Sequence, residues 1–177
     1  MQIGNGAGDI SRVSFKDVLA RGTRRGVRND HMITVDIGRK VIMLDAKKFN
    51  TPLGMKDVIL TIGENTKDDA DYMAALCGLY MYFQARIVQE DNSGSIKPSV
   101  EETASRRERR NCIISEIKNK MSVPRAQQAW VAFVEDCFIG DEVDVSAWIF
   151  YRSTCLGDVV NKLSPDVQRK IRQFEKD

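Results

Sequence analysis

The chain has 177 residues, 42% hydrophobic and 29% charged, with a formal net charge of +2 and a single histidine. A chain of this size buries about two thirds of its unfolded surface and needs no metal or disulfide to fold, which excludes general disorder, a collagen-like repeat and a disulfide-stapled miniprotein. One histidine also leaves little material for histidine-dependent catalysis.

The glycines at positions 4, 6 and 8 mark residues 1–13 as a flexible arm. They do not make a phosphate loop, because no strand precedes them and no Gly-Lys-Ser/Thr follows. Ser11 and Ser14 offer N-caps for a short helix through Ala20 with an apolar stripe of Phe15, Val18 and Leu19, ended by Gly22. Met32–Ile37 and Lys40–Asp45 flank Gly38-Arg39 and read as a β-hairpin, with Ile33, Val35 and Ile37 on one side and Thr34 and Asp36 on the other. Thr51-Pro-Leu-Gly reads as a turn, and Val58–Ile62 as either a third strand or the opening of the helical part.

From Asp68 onward the chain reads as helical. Asp68, Asp69 and Asp71 suit a helix N-terminus, and the apolar run Tyr72–Phe83 suits a buried central helix. Residues 91–99 read as a loop and 100–120 as a helix. The spacing of Ala126, Ala129, Trp130, Phe133, Val134, Cys137 and Phe138 gives the strongest amphipathic pattern, starting near Pro124. After the turn at Gly140–Asp144, the stripe Ala147, Trp148, Tyr151, Cys155, Val159 and Leu163 predicts one continuous helix. Ser164-Pro165 opens a last one carrying Val167, Ile171 and Phe174. The fold expected is mainly α, a helical bundle with a small N-terminal β-hairpin. Residues 14–177 form a single domain, divided into a short helix plus hairpin (14–63) and the bundle (66–177).

The small net charge conceals blocks. Residues 1–48 carry 10 Lys/Arg against 5 Asp/Glu and residues 97–125 carry 8 against 4. Residues 64–91 carry 2 against 6, and residues 126–161 carry 1 against 6. Alternating basic and acidic blocks suit a polyanion-binding surface or association of unlike faces. Two clusters stand out. On the 100–120 helix, Arg106, Arg109 and Arg110 span about 100° of one face and align with Ile113 and Ile117. Cations in line with a core stripe point along the protein body, into a groove or across an interface, and arginine's planar fork suits phosphate oxygens. The competing reading is a helix end balanced by Glu101, Glu102 and Glu108. The second cluster, Arg21, Arg24, Arg25 and Arg28, sits among glycines as a basic loop that suits a phosphate chain.

Catalytic and metal-binding signatures are missing. His31 has no nucleophile motif beside it, the cysteines (Cys77, Cys112, Cys137, Cys155) make no Cys-x-x-Cys pair, and Asp68–Asp71 lacks the rest of a calcium loop. No enzyme activity and no cofactor are expected. Widely spread cysteines read as free thiols in a reducing compartment. The opening residues lack the blocks of a signal peptide, and the longest apolar run, 12 residues, falls short of the roughly 18 that suggest a membrane span. The expected location is intracellular, in the cytoplasm or a virion.

A basic amphipathic helix ending at Gly22, a β-hairpin, and a helix containing Leu76-Cys-Gly-Leu-Tyr80 followed by the Arg106–Arg110 helix together resemble the amino-terminal lobe of rhabdovirus-type nucleoproteins. Ala126-Gln-Gln-Ala-Trp130 resembles a segment of the coat proteins of flexuous filamentous plant viruses. Nucleoproteins of that type clamp RNA between two lobes, and this chain has room for one. The resemblance implies an RNA-binding protein that assembles on the RNA backbone without sequence preference. The expectation is therefore a sequence-nonspecific single-stranded RNA-binding protein, a viral nucleocapsid or coat-type subunit and a homo-oligomer. Its phosphate contacts would come from Arg21, Arg24, Arg25, Arg28, Arg106, Arg107, Arg109 and Arg110. The alternative is an oligomeric protein-interaction module without nucleic acid, whose arginines dock the acidic Asp136–Asp144 stretch of another copy.

Overall fold

The computed structural model describes residues 32–36, 41–94 and 96–176. The chain is mainly α: a helical bundle behind a two-stranded antiparallel hairpin of β1 (Met32–Asp36) and β2 (Val41–Asp45). The register pairs Ile33 with Leu44 and Val35 with Ile42. These four residues are buried, while Val41 and Met43 face outward, as period-2 alternation requires of a sheet with one covered face. The proposed arm, the helix ending at Gly22, the Gly38-Arg39 turn and His31 lie outside the described residues.

A short 3₁₀ helix, Ala46–Asn50, leads into α1 (Pro52–Asn65). The turn expected at Thr51–Gly54 is instead the start of α1. The Thr51 hydroxyl accepts from the Gly54 N–H at 3.0 Å and Pro52 occupies the first helical turn, where a missing N–H costs nothing. Val58–Ile62 is thus helical, the second of the two options its apolar run allowed.

The central helix α2 (Asp69–Ser93) buries Met73–Tyr80, Tyr82, Phe83 and Ile87 and packs chiefly against α4 and α3. Asp68 caps it, accepting from the Ala70 N–H at 2.9 Å, and is held in turn by Arg125. The helix extends through Ser93, into the stretch that the sequence presents as a loop. α3 (Val100–Lys120) is capped by Ser99, and α4 (Pro124–Cys137) turns its Ala126–Trp130–Phe133 stripe inward. Beyond the acidic turn, α5 (Val145–Thr154) ends earlier than its apolar stripe implies. Gly157 adopts a positive φ of 55°, and the chain continues as a 3₁₀ segment, Gly157–Lys162, that still delivers Val159 and Leu163 to the core.

α6 (Pro165–Lys176) closes the bundle. The Ser164 N–H donates to Glu135 of α4 at 2.5 Å, and Lys170 donates to the carbonyls of Phe138 (2.9 Å) and Gly140 (2.6 Å). The helix is thereby tied to the end of α4, whose last carbonyls lack partners within their own helix. The core is aromatic: Phe150 of α5 lies 5.3 Å from both Tyr80 and Phe133. The Trp130 indole N–H donates to Thr154 at 2.9 Å, and the Thr154 hydroxyl donates to the Phe150 carbonyl at 2.8 Å, so these buried polar atoms are satisfied.

Candidate nucleic-acid interface

The arginine-rich half of α3 divides into two pairs. Arg106 is buried: its Nε donates to Glu102 at 2.9 Å, and its two terminal nitrogens grip Asp91 of α2 at 3.1 and 3.0 Å. Arg109, only 3% exposed, donates to the Phe49 carbonyl at 2.7 Å, to Glu102 at 2.9 Å and to the Ser105 hydroxyl at 3.1 Å, with its guanidinium 5.3 Å from the Phe83 ring centre. Burial alone would raise Glu102, but the hydrogen bonds from Arg109 and Arg106 prevail and hold it below its ordinary value.

These contacts correct the expectation that Arg106 and Arg109 face a phosphate. Their forks are occupied by two carboxylates of the same chain, exposed Asp91 and half-buried Glu102, and by the backbone of the 3₁₀ helix that follows the hairpin. The physical reason is desolvation: a guanidinium drawn into an apolar stripe must find a charge partner inside the protein. Glu102, one turn from Arg106, was legible in the sequence as a balancing charge. Asp91 was not, because it belongs to a different helix.

The other pair is available. Arg107 is exposed, and Arg110 is half-buried, donating through Nε to Gln84 of α2 at 3.2 Å. Gln84 also lines a cleft of about 820 Å³ between α2 and α5, whose walls mix apolar Met81, Val88 and Ile149 with the amides of Gln89 and Asn92 and the carboxylate of Asp144. The buried Tyr80 hydroxyl lies at the same junction. Burial pushes it up, and neighbouring Arg110 and Ser153 pull it back. Sequence reasoning grouped four arginines and missed the cleft, since Gln84 and Asn92 carry no charge or motif signal. Of the second cluster, Arg21, Arg24, Arg25 and Arg28 all lie outside the described residues.

On the acidic side, Asp141, Glu142 and Asp144 are exposed, and Asp144 caps α5 through the Ser146 N–H at 2.9 Å. No disulfide links the four cysteines; Cys77 is fully buried and the others half-buried. Burial, aided by nearby Cys137, pushes the Cys77 thiol well up, and burial also raises Cys112 and Cys155, so none of these three is an activated thiolate. Among the described residues, no three His, Cys, Asp or Glu side chains are grouped to hold a metal, and no helix is long and apolar enough to cross a membrane.

No protein-family model matches this chain, and no curated protein or solved structure gives a significant match. The structure defines a class by architecture: a mainly α bundle with a small β-hairpin and an arginine-bearing helix packed across its central helix.

Proposed function

We propose that this chain is a non-enzymatic RNA-binding protein that contacts the phosphate backbone without reading sequence, and whose copies associate. The observation that carries this reading is half-buried Arg110, bonded to Gln84 in the wall of the α2–α5 cleft, with exposed Arg107 on the same helix. The terminal nitrogens of Arg110 are left for a phosphate next to a recess that mixes apolar and amide groups with the carboxylate of Asp144. Among the described residues, that recess has no array of charged donors to select a base. The basic cluster Arg21, Arg24, Arg25 and Arg28 supplies further phosphate contacts in this reading. The setting implied by the resemblance is a viral nucleocapsid or coat-type subunit in the cytoplasm or virion, and four cysteines not joined by disulfides suit a reducing compartment.

The test is fluorescence anisotropy with a short single-stranded RNA over a range of salt concentrations. Replacing Arg107 and Arg110 together by Ala is expected to weaken binding and to flatten the slope of log affinity against log salt by about 0.7 for each phosphate that is no longer neutralised. Affinities for A-rich and U-rich strands are expected to agree closely. An unchanged affinity and slope in the double variant would reject this interface. The second reading, a protein-interaction module without nucleic acid, draws its support from apolar side chains exposed on α1, on the other side of α3.

A further inference from the structure

Helix α1 turns Met55, Val58 and Ile62 into the core, yet its opposite face is not a solvated polar surface. Leu53 is 78% exposed and Leu60 60% exposed. They stand two turns apart, so at 3.6 residues per turn they share one stripe, with Lys56 and Asp57 between them and Glu64 beyond. A cleft flanks this ridge on each side. One, about 660 Å³, is lined by Lys47, Lys48, Gly54 and Asp57. The other, about 670 Å³, lies toward α3 and is lined by Gly63, Glu64, Glu108 and Glu116. Lys56 and Leu60 border both. The ridge therefore runs from a lysine-bearing end to a glutamate-bearing end.

We infer that this face pairs with the same face of a second copy, the two α1 helices lying antiparallel about a two-fold axis between Lys56 and Asp57. The pattern is self-complementary in that orientation alone. Leu53 meets Leu60 of the partner subunit, Lys56 lies beside Asp57 of the partner subunit, and Lys47 faces Glu64 of the partner subunit; Lys48 is already paired with Asp57 within the chain, so it adds little across the axis. A parallel pairing would set lysine against lysine and glutamate against glutamate. An isologous two-fold contact needs one patch that complements itself, and this one does so in charge while the protruding leucines cover one another. RNA suits this face poorly, since Glu64, Glu108 and Glu116 repel phosphate and the leucines offer it nothing. A 14-residue helix is about 21 Å long, so the contact is modest and the dimer depends on concentration.

The inference gives the assembly half of the proposed function a surface and rests on that half alone. Sedimentation velocity on nuclease-treated protein, from sub-micromolar to tens of micromolar, tests it. The unaltered chain is expected to pass from monomer to dimer. Leu53→Asp with Leu60→Asp is expected to hold it monomeric, with helical circular dichroism and short-RNA affinity unchanged. Glu64→Lys is expected to weaken the dimer at least tenfold, and adding Lys47→Glu to restore it, because the swap re-creates the complement. A monomer throughout the range, a dimer indifferent to the leucine changes, or no recovery in the charge swap would overturn the inference. The Arg107 and Arg110 variant is expected to dimerise normally, so failure of RNA binding and failure of this interface read out separately.

Discussion

Arg109 shows how a charged side chain becomes structural. Its guanidinium serves three partners: the Phe49 carbonyl, Glu102 and Ser105. Arg109→Ala leaves the buried Phe49 carbonyl without its donor and Glu102 with Arg106 alone, at an expected cost of about 2–3 kcal/mol in urea denaturation. Arg107→Ala, at an exposed position, is expected to change stability by less than about 0.5 kcal/mol. Glu102 adds a pH dependence. Its folded-state pKa lies below its unfolded value, so the stability it contributes is present above the ordinary carboxylate value of about 4.3 and is lost as pH falls through the folded value. Glu102→Gln is expected to lower stability at neutral pH and to make it fall less steeply on acidification, as followed by thermal melts between neutral and acid pH.

At the scale of elements, the join between the 3₁₀ helix and α1 decides where the hairpin sits. A β-carbon on Gly54 would overlap the Lys48 carbonyl oxygen, a backbone atom that cannot swing aside. Gly54→Ala is therefore expected to destabilise the chain by about 3 kcal/mol, as measured by denaturant midpoint. Added helix propensity works in the opposite direction and amounts to about 1 kcal/mol. Gly63→Ala, whose β-carbon would meet only the Tyr72 ring edge at 3.3 Å, is the milder comparison. The element boundaries that the sequence misplaced share one cause. Thr51–Gly54 carries turn residues that also cap a helix, residues 91–93 are polar yet continue α2, and the stripe from Ala147 to Leu163 keeps its period across a glycine kink. Composition and period describe which side faces inward, not where backbone hydrogen bonding stops.

At the scale of the whole molecule, α2 is the axis around which the rest is arranged, and Cys77 at its centre reports on that packing. It is fully buried with its thiol held protonated. Its reaction with a thiol reagent at mildly alkaline pH is expected to follow global unfolding, while half-buried Cys112, in the cleft beside α1, reacts from the native state. Mass-spectrometric timing of modification at the two positions, with and without denaturant, checks this. Arg110 faces α2 through its bond to Gln84, and the Leu53–Leu60 ridge with its two clefts lies on the α1 side of α3.

The mainly α bundle, the hairpin register and the inward stripe of α4 were legible because amphipathic periodicity and capping residues are local signals, repeated within each segment. The aligned arginines of α3 were legible as a cluster, but their employment was not. Asp91 lies 15 residues from Arg106 and Phe49 lies 60 residues from Arg109, separations at which periodicity carries no information. The two pairs of arginines are chemically alike in the sequence. Only the packing of α3 against α2 and the 3₁₀ helix sends Arg106 and Arg109 to partners within the chain, leaves Arg110 half-buried against Gln84 and leaves Arg107 exposed. The ridge on α1 was hidden for the same reason, since an exposed leucine and a core leucine differ only in whether another element covers them.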